Sequence, residues 1–448
     1  MSKSTLSKDD KQNLGEANTV SVSKGAVGVK THLENNQRWL DSGNVYGEDA
    51  AKTLNQRKAS NDEQLLEYLA ASVPQHCLDG WTYLSRALDC HTRGDAHGAI
   101  HLAYYAELRA TMCLLAGQSV GILNHKHFVF DSKGSLSTIE SLGTHQVAWL
   151  ALSHWSKSRG AEVEVGNMIS LANRPLIEWL TEAGFPSSAQ SLAAKWLQEW
   201  GLDLELMTKD RDLRNAASYR PTCLTNWTCT PAPETTRVLE RVWSLFEPSG
   251  TWRFDGIDQY LIRNALESGY KGSTGKDPSA RGIASGFDQR IRTATDKLGL
   301  TTSEKELWIP FLLRETSPDE PWLLRQAKIR GDSPRTQYTA VIARAALLLR
   351  IATGTARQLS IKGSWSRENL SFWWNTIGLD AGLWDEDDVP ESLSDLWADV
   401  AAALDDIGTA EVPPDTRTIA KRSWQSRKSA ALLTLGGAQR IGMWGLGL

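Results

Sequence analysis

The segment Gly98–Gly117, GAIHLAYYAELRATMCLLAG, is apolar on two faces at once. His101, Tyr105, Leu108, Met112 and Leu115 recur at spacings of four, three, four and three, one stripe of a 3.6-residue helix. Ala103, Ala106, Ala110, Cys113 and Gly117 form a second stripe of small residues that lets another helix come close. A helix covered on two sides is central to a bundle and not a surface element. The chain must therefore supply several partner helices. Glu107 and Arg109, carried by the same helix, must find polar partners or change charge state, which marks them as structural polar residues.

The rest of the sequence supplies those partners. Asn61 can cap DEQLLEYLAASV, with Pro74 as its stop, and a further helix is expected over Gly80–Cys90. Asn173 reads as an N-cap with Pro175 in the first turn, and Trp196 and Trp200 share a face ahead of Gly201. Later helices are expected at 234–247, 255–268, 286–298, 303–315, 337–353, 366–377, 392–407 and 417–434. Alternating β patterns are confined to short runs such as His127–Phe130, so the class is mainly α. The 19 tryptophans, spread from Trp39 to Trp444, suit packing anchors for helices.

Composition shifts divide the chain. Residues 1–35 read as a flexible N-terminal tail, 36–225 as a helical bundle and 226–435 as a second, Trp-rich α-helical domain. The Pro-containing stretch Thr222–Glu234 forms the boundary, and Ser268–Gly286 reads as a flexible linker. Lys271–Asp277 imitates a phosphate loop but has Tyr270 and Asp277 at positions that need glycine and a hydroxyl residue. Residues 436–448 form a Gly-rich apolar tail, too apolar to stay solvated, with Trp444 as the expected anchor. Val341–Ala352 is a very apolar segment containing Arg344 and Arg350. At twelve residues it reads as a buried core helix, and the acidic stretch Asp385–Asp406 is the expected partner of its arginines.

Charge is segregated at the C-terminal end. Glu368–Thr416 holds thirteen acids and no Lys or Arg, whereas Arg417–Leu448 holds six Lys/Arg and no acid. Either two solvated segments stand side by side or the basic end docks on the acidic one. The net charge of −4 argues against a globally basic nucleic-acid coat, and the five scattered cysteines suit a reducing compartment. A cytoplasmic location is expected, with no membrane partner. His125 and His127 form an H-x-H pair without a second ligand cluster, so neither a metal nor a cofactor is expected. All nine histidines lie at or before His154, so later chemistry that needs imidazole must borrow it from the first third or from another chain.

A family resemblance rests on two motifs. Ala103, Tyr104, Tyr105, Ala106, Arg109, Ala110, Leu114 and Leu115 make one; Arg214, Asn215 and Tyr219 make the other, about 100 residues later. Together they resemble the HEPN superfamily of prokaryotic helical bundles over about residues 60–225. The resemblance implies a bundle of four to five helices that often pairs with itself. It also implies a place in antiviral-defence or toxin-type systems, where many members are metal-independent ribonucleases. It points to Arg214, Asn215 and Tyr219 as catalytic positions, with Arg211, Arg214 and Arg220 contacting nucleic acid. Tyr219 stands where the family's catalytic His is expected, and a phenol is a poor general base at neutral pH. The expected function is therefore a complex subunit that binds a partner protein and RNA or DNA through a degenerate HEPN-like site, with a homodimer as one form. The alternatives are a divergent ribonuclease and a purely structural adaptor.

Overall fold

The computed structural model describes residues 5–36, 38–56, 63–139, 142–158, 160–185, 192–219, 232–248, 254–278, 284–330, 334–408 and 425–446. The protein is mainly α. Its centre is made of α4 (Glu63–Arg93) and α5 (Ala96–Ala116), joined by a two-residue turn in which Asp95 caps α5 through the Gly98 N–H at 2.8 Å. The long helix α16 (Pro334–Lys362) packs on both α4 and α5, so α5 is covered on two sides. Gly80 permits the close approach, because a Cβ there would meet Leu349 of α16 at 2.5 Å.

Residues 1–35 do not behave as the expected flexible tail. They contain α1 (Lys8–Gly15) and α2 (Thr19–Asn36), and α2 packs on α4 with Val22, Ala26 and Val29 fully buried. The apolar positions are spaced by valine and alanine among Ser, Lys and Gly, a stripe too dilute to read as helical without its partner. Pro74 also departs from expectation. It lies inside α4, where the missing N–H and ring clash cost about 3 kcal/mol. The buried stripe on both sides of it, from Leu65 through Val73 and from Cys77 through Leu88, outweighs that local cost.

After α5 the chain forms a three-stranded antiparallel meander, β1 (Val120–Ile122), β2 (His127–Phe130) and β3 (Leu136–Ile139). Helices α6 (Thr144–Trp155) and α7 (Ala161–Met168) follow. Asn173 is not an N-cap. With Ala172 it makes the two-residue turn between β4 (Ser170–Leu171) and β5 (Arg174–Pro175), both at positive φ as a type I′ turn requires. Helix α8 (Leu176–Glu182), α9 (Ala193–Glu199) and α10 (Leu204–Tyr219) complete the first half, and α10 lies along α5.

The second half comprises α11 (Ala232–Trp243), α12 (Asp255–Thr274), α13 (Ala284–Lys297), α14 (Thr302–Leu312), α15 (Trp322–Ala327), α16 and α17 (Leu393–Gly408), then α18 (Ser429–Gly436) and α19 (Gln439–Leu446). The expected boundary near residue 225 itself lies outside the described residues, but the packing ignores it. One connected set of buried apolar side chains runs from Leu6 to Leu446, with α16 at its middle. Likewise Lys271–Thr274 is the last turn of α12, closed by Gly275 at φ +70°, and not part of a linker. Within α16, Gln337–Lys362 is long and apolar enough to cross a membrane, yet 94% of its apolar window is buried inside the protein.

Tryptophans anchor this packing. Trp81, Trp179, Trp196, Trp200, Trp243 and Trp444 are fully buried, and the Trp81 and Trp243 indoles donate to Thr353 Oγ1 and the Leu435 carbonyl, both at 2.9 Å. Trp444, in α19, meets the Trp397 and Trp243 rings at 5.6 and 6.1 Å, and α19 lies on α4. The acidic and basic C-terminal segments meet through Lys428–Asp406 at 2.7 Å and Arg440–Asp399 at 3.0 Å.

Candidate functional site

Helical spacing alone assembles the site. On α10, Asp210, Arg214 and Ser218 are four residues apart and share one face; on α5, His101, Tyr104, Tyr105 and Glu107 lie within two turns. The two faces meet, and α6 brings in His145 and Trp149 from the side.

The lower part is a buried anchor. Arg344 of α16 binds Asp210 through two hydrogen bonds of 2.6 Å and donates a third to the Ala327 carbonyl at 2.9 Å. Glu107, fully buried, stands 3.8 Å from Arg344 Nε. Burial, and then the Asp210 charge beside it, hold the Glu107 carboxyl well above the usual range. The acidic segment 385–406, the expected partner, takes no part: Arg350 likewise binds Asp258 of α12, at 2.8 Å from its Nε.

One turn along α10 lies Arg214, only 9% exposed. Its guanidinium sits over the Tyr104 and Tyr105 rings at 5.2 and 5.4 Å from their centroids and donates to His145 Nε2 at 3.3 Å. Arginine has donors only, so His145 Nε2 accepts and the ring proton is on Nδ1, which reaches Tyr104 Oη at 3.0 Å. The Trp149 indole donates to the same hydroxyl at 3.3 Å, and burial pushes the Tyr104 phenol up to about 12.

A second imidazole completes the arrangement. The Ser218 hydroxyl donates to the Arg214 carbonyl at 2.9 Å, so at 2.9 Å from His101 Nδ1 it accepts. His101 therefore also carries its proton on Nδ1 and keeps a lone pair on Nε2. Burial and the Arg214 charge lower both imidazoles below their ordinary value, and Arg211 lowers His145 further. Both rings are neutral at pH 7. Arg214 Nε has no hydrogen-bond partner, and no carboxylate among the described residues pairs with this guanidinium.

The expected site residues divide accordingly. Arg214 is at the centre, whereas Asn215 is half-buried on the same helix. Tyr219 is 81% exposed, one residue beyond Ser218 near the end of α10. Arg211 binds Asp212 at 3.3 Å on its own helix, and Arg220 lies outside the described residues. Arg109 is a separate structural pair, reaching His76 Nδ1 at 2.9 Å and Asp79 at 3.5 Å. Nor do His125 and His127 join the site, since His127 Nε2 bonds the Leu142 carbonyl at 2.9 Å. Although α10 is rich in charged residues, Asp210 is buried under α5 and Arg344 of α16, and Arg214 under α5 and α6. Among the described residues, no three His, Cys, Asp or Glu are grouped to hold a metal ion.

His101 and His145 are the residues that sequence reasoning missed. His101 shares a stripe with Tyr105, a usable signal, but His145 lies 69 residues from Arg214 on another helix and carries none. No family model matches the chain, and no curated protein or solved structure is similar to it.

Proposed function

We propose that this chain is a helical, nucleic-acid-binding subunit of a prokaryotic defence or toxin-type system that takes a phosphate of RNA at Arg214. One observation carries the reading. Arg214 is held over two tyrosine rings, next to two neutral imidazoles, with no carboxylate among the described residues to neutralise it and an unpartnered Nε. A guanidinium left without an anion in a half-buried polar cluster suits an anionic oxygen from outside, and Arg matches phosphate geometry. The defence-system setting rests on the HEPN resemblance.

The two imidazoles favour a second reading, metal-independent RNA cleavage. His101, through the lone pair on its Nε2, would take the proton of a ribose 2′-hydroxyl while the 2′-oxygen attacks phosphorus. The bond to the 5′-oxygen then breaks, the leaving oxygen takes the proton back from the imidazolium so formed, and a 2′,3′-cyclic phosphate remains. Arg214 would stabilise the charge that builds on the non-bridging oxygens. Filter binding of single-stranded RNA across a salt series tests the first reading; Arg214→Ala should weaken binding. Incubation with total RNA, with and without EDTA, tests the second. EDTA-resistant cleavage lost in both His101→Gln and Arg214→Ala supports it, and intact RNA leaves binding alone.

A further inference from the structure

We propose that Tyr83 and Tyr105 form a stacking platform for an unpaired nucleobase of the strand whose phosphate Arg214 takes. The inference rests on that phosphate reading and extends it from the backbone of the strand to its bases. Tyr83, on α4, and Tyr105, on α5, face each other across the α4–α5 hairpin. Their ring centroids are 5.5 Å apart and their planes 27° from parallel.

The platform adjoins the phosphate seat. The Arg214 guanidinium lies 5.4 Å from the centre of the Tyr105 ring, and the His101 ring lies 5.1 Å from it. Tyr105 thus links the guanidinium to Tyr83. Arg86 is exposed one turn beyond Tyr83 on the same face of α4 and adds positive charge where a strand continues. The acids on this stretch of α4, Asp79 and Asp89, are held by Arg109 at 3.5 Å and Arg93 at 3.0 Å.

Exposure separates this pair from rings that only pack. The other near-parallel ring pairs among the described residues are Trp196 with Trp200 and Tyr104 with His145. Both tryptophans are fully buried; so is Tyr104, whose hydroxyl takes His145 and Trp149. Tyr83 and Tyr105 are each half-buried and keep aromatic surface in solvent beside a cation. Such surface suits a flat ring attached to a phosphate. Base–aromatic stacking is sequence-tolerant, because every base has a π-face, and it needs bases that are free of a duplex.

Equilibrium binding of two single-stranded 2′-O-methyl oligomers of equal length and charge tests the platform. One carries uracil at every position and the other is abasic; neither has a 2′-hydroxyl to attack. Wild type should bind the uracil oligomer about fivefold or more tightly, the size of one base on an aromatic ring. Tyr83→Leu should remove most of that preference and leave the salt slope unchanged, while Tyr83→Phe, which keeps the ring, should retain it. The wild-type comparison needs no variant, so it decides the matter even if Tyr83→Leu fails to fold. Equal binding of the two oligomers by wild type overturns the platform; if Arg214→Ala still weakens both, the phosphate reading stands. A full preference for uracil in folded Tyr83→Leu also overturns it, since the base then rests elsewhere. Binding of neither oligomer removes the phosphate reading and the platform with it.

Discussion

Arg214, on α10, and Arg344, which reaches Asp210 of α10 from α16, lie about one turn apart along the same face of α10, and both are buried. Their partners differ completely. Arg344 has a carboxylate at 2.6 Å through two bonds and a carbonyl at 2.9 Å, so its charge and its donors are accounted for within the fold. Arg214 has aromatic faces and a neutral imidazole, which hold the guanidinium in place without cancelling its charge. The difference teaches how burial should be read in this molecule. A buried arginine with an internal anion is structural; one with neutral partners keeps an anion site open.

The largest expected effect is on the structural side. Arg344→Ala leaves Asp210 as an uncompensated buried charge beside Glu107, a change that costs about 3–5 kcal/mol. The thermal midpoint should fall by several degrees, read by circular dichroism or calorimetry. A midpoint equal to wild type removes Arg344 as the anchor and breaks the contrast at its stronger end.

Glu107 gives the next effect, and its sign follows from the protonation states. The folded state holds this carboxyl well above its ordinary value of 4.5, whereas the unfolded chain releases the proton from that value upward. The unfolded state then binds fewer protons, so the Glu107 contribution makes stability fall as pH rises from about 4.5. Glu107→Gln cannot ionise in either state. The variant should be at least as stable as wild type at pH 7.5 and should lose part of the gain seen on moving to pH 5. Urea melts at the two pH values measure this. A strongly destabilised variant at pH 7.5 would mean that Glu107 is ionised and pairs with Arg344.

How far these clusters were legible in the sequence follows from the reach of periodicity. Local spacing exposes the two-faced helix α5 and places Arg214 and Ser218 on one side of α10. It also shows that Arg344 must be paired, because a guanidinium among Ile342, Ala345 and Leu348 has no other tolerable state. Spacing does not reveal which partner supplies the anion. The nearest acidic run in the chain suggested itself, yet the partner, Asp210, is 134 residues away. The same limit hid His145, and tertiary burial overrode the local signals at Pro74 and in α2.

On the Arg214 side the expected effects are smaller in stability and larger in binding. Arg214→Ala removes a buried contact with two aromatic rings, worth up to about 2 kcal/mol, so its midpoint should fall less than that of Arg344→Ala. If RNA phosphate binds there, the slope of log K against log salt should drop by about 0.7 for a single strand. A drop in stability as large as that of Arg344→Ala, with an unchanged slope, would make the two arginines equivalent and dissolve the contrast between them.

The smallest expected effect belongs to Tyr219, the position that the family pattern assigns to catalysis. Its side chain is 81% exposed at the end of α10. Surface substitutions of this kind change stability by less than about 0.5 kcal/mol. Tyr219→Ala should therefore melt with wild type, keep its salt slope and keep any RNA cleavage, whereas His101→Gln should lose the last of these. The pair of variants separates two ways of building the site. If imidazole function resides in His101, contributed by α5, then the residue five positions beyond Arg214 on α10 is free to vary, and its tyrosine carries no chemistry. Loss of cleavage or binding in Tyr219→Ala alone would instead return the function to the exposed end of α10, and Arg214 with its two imidazoles would be a packed polar cluster.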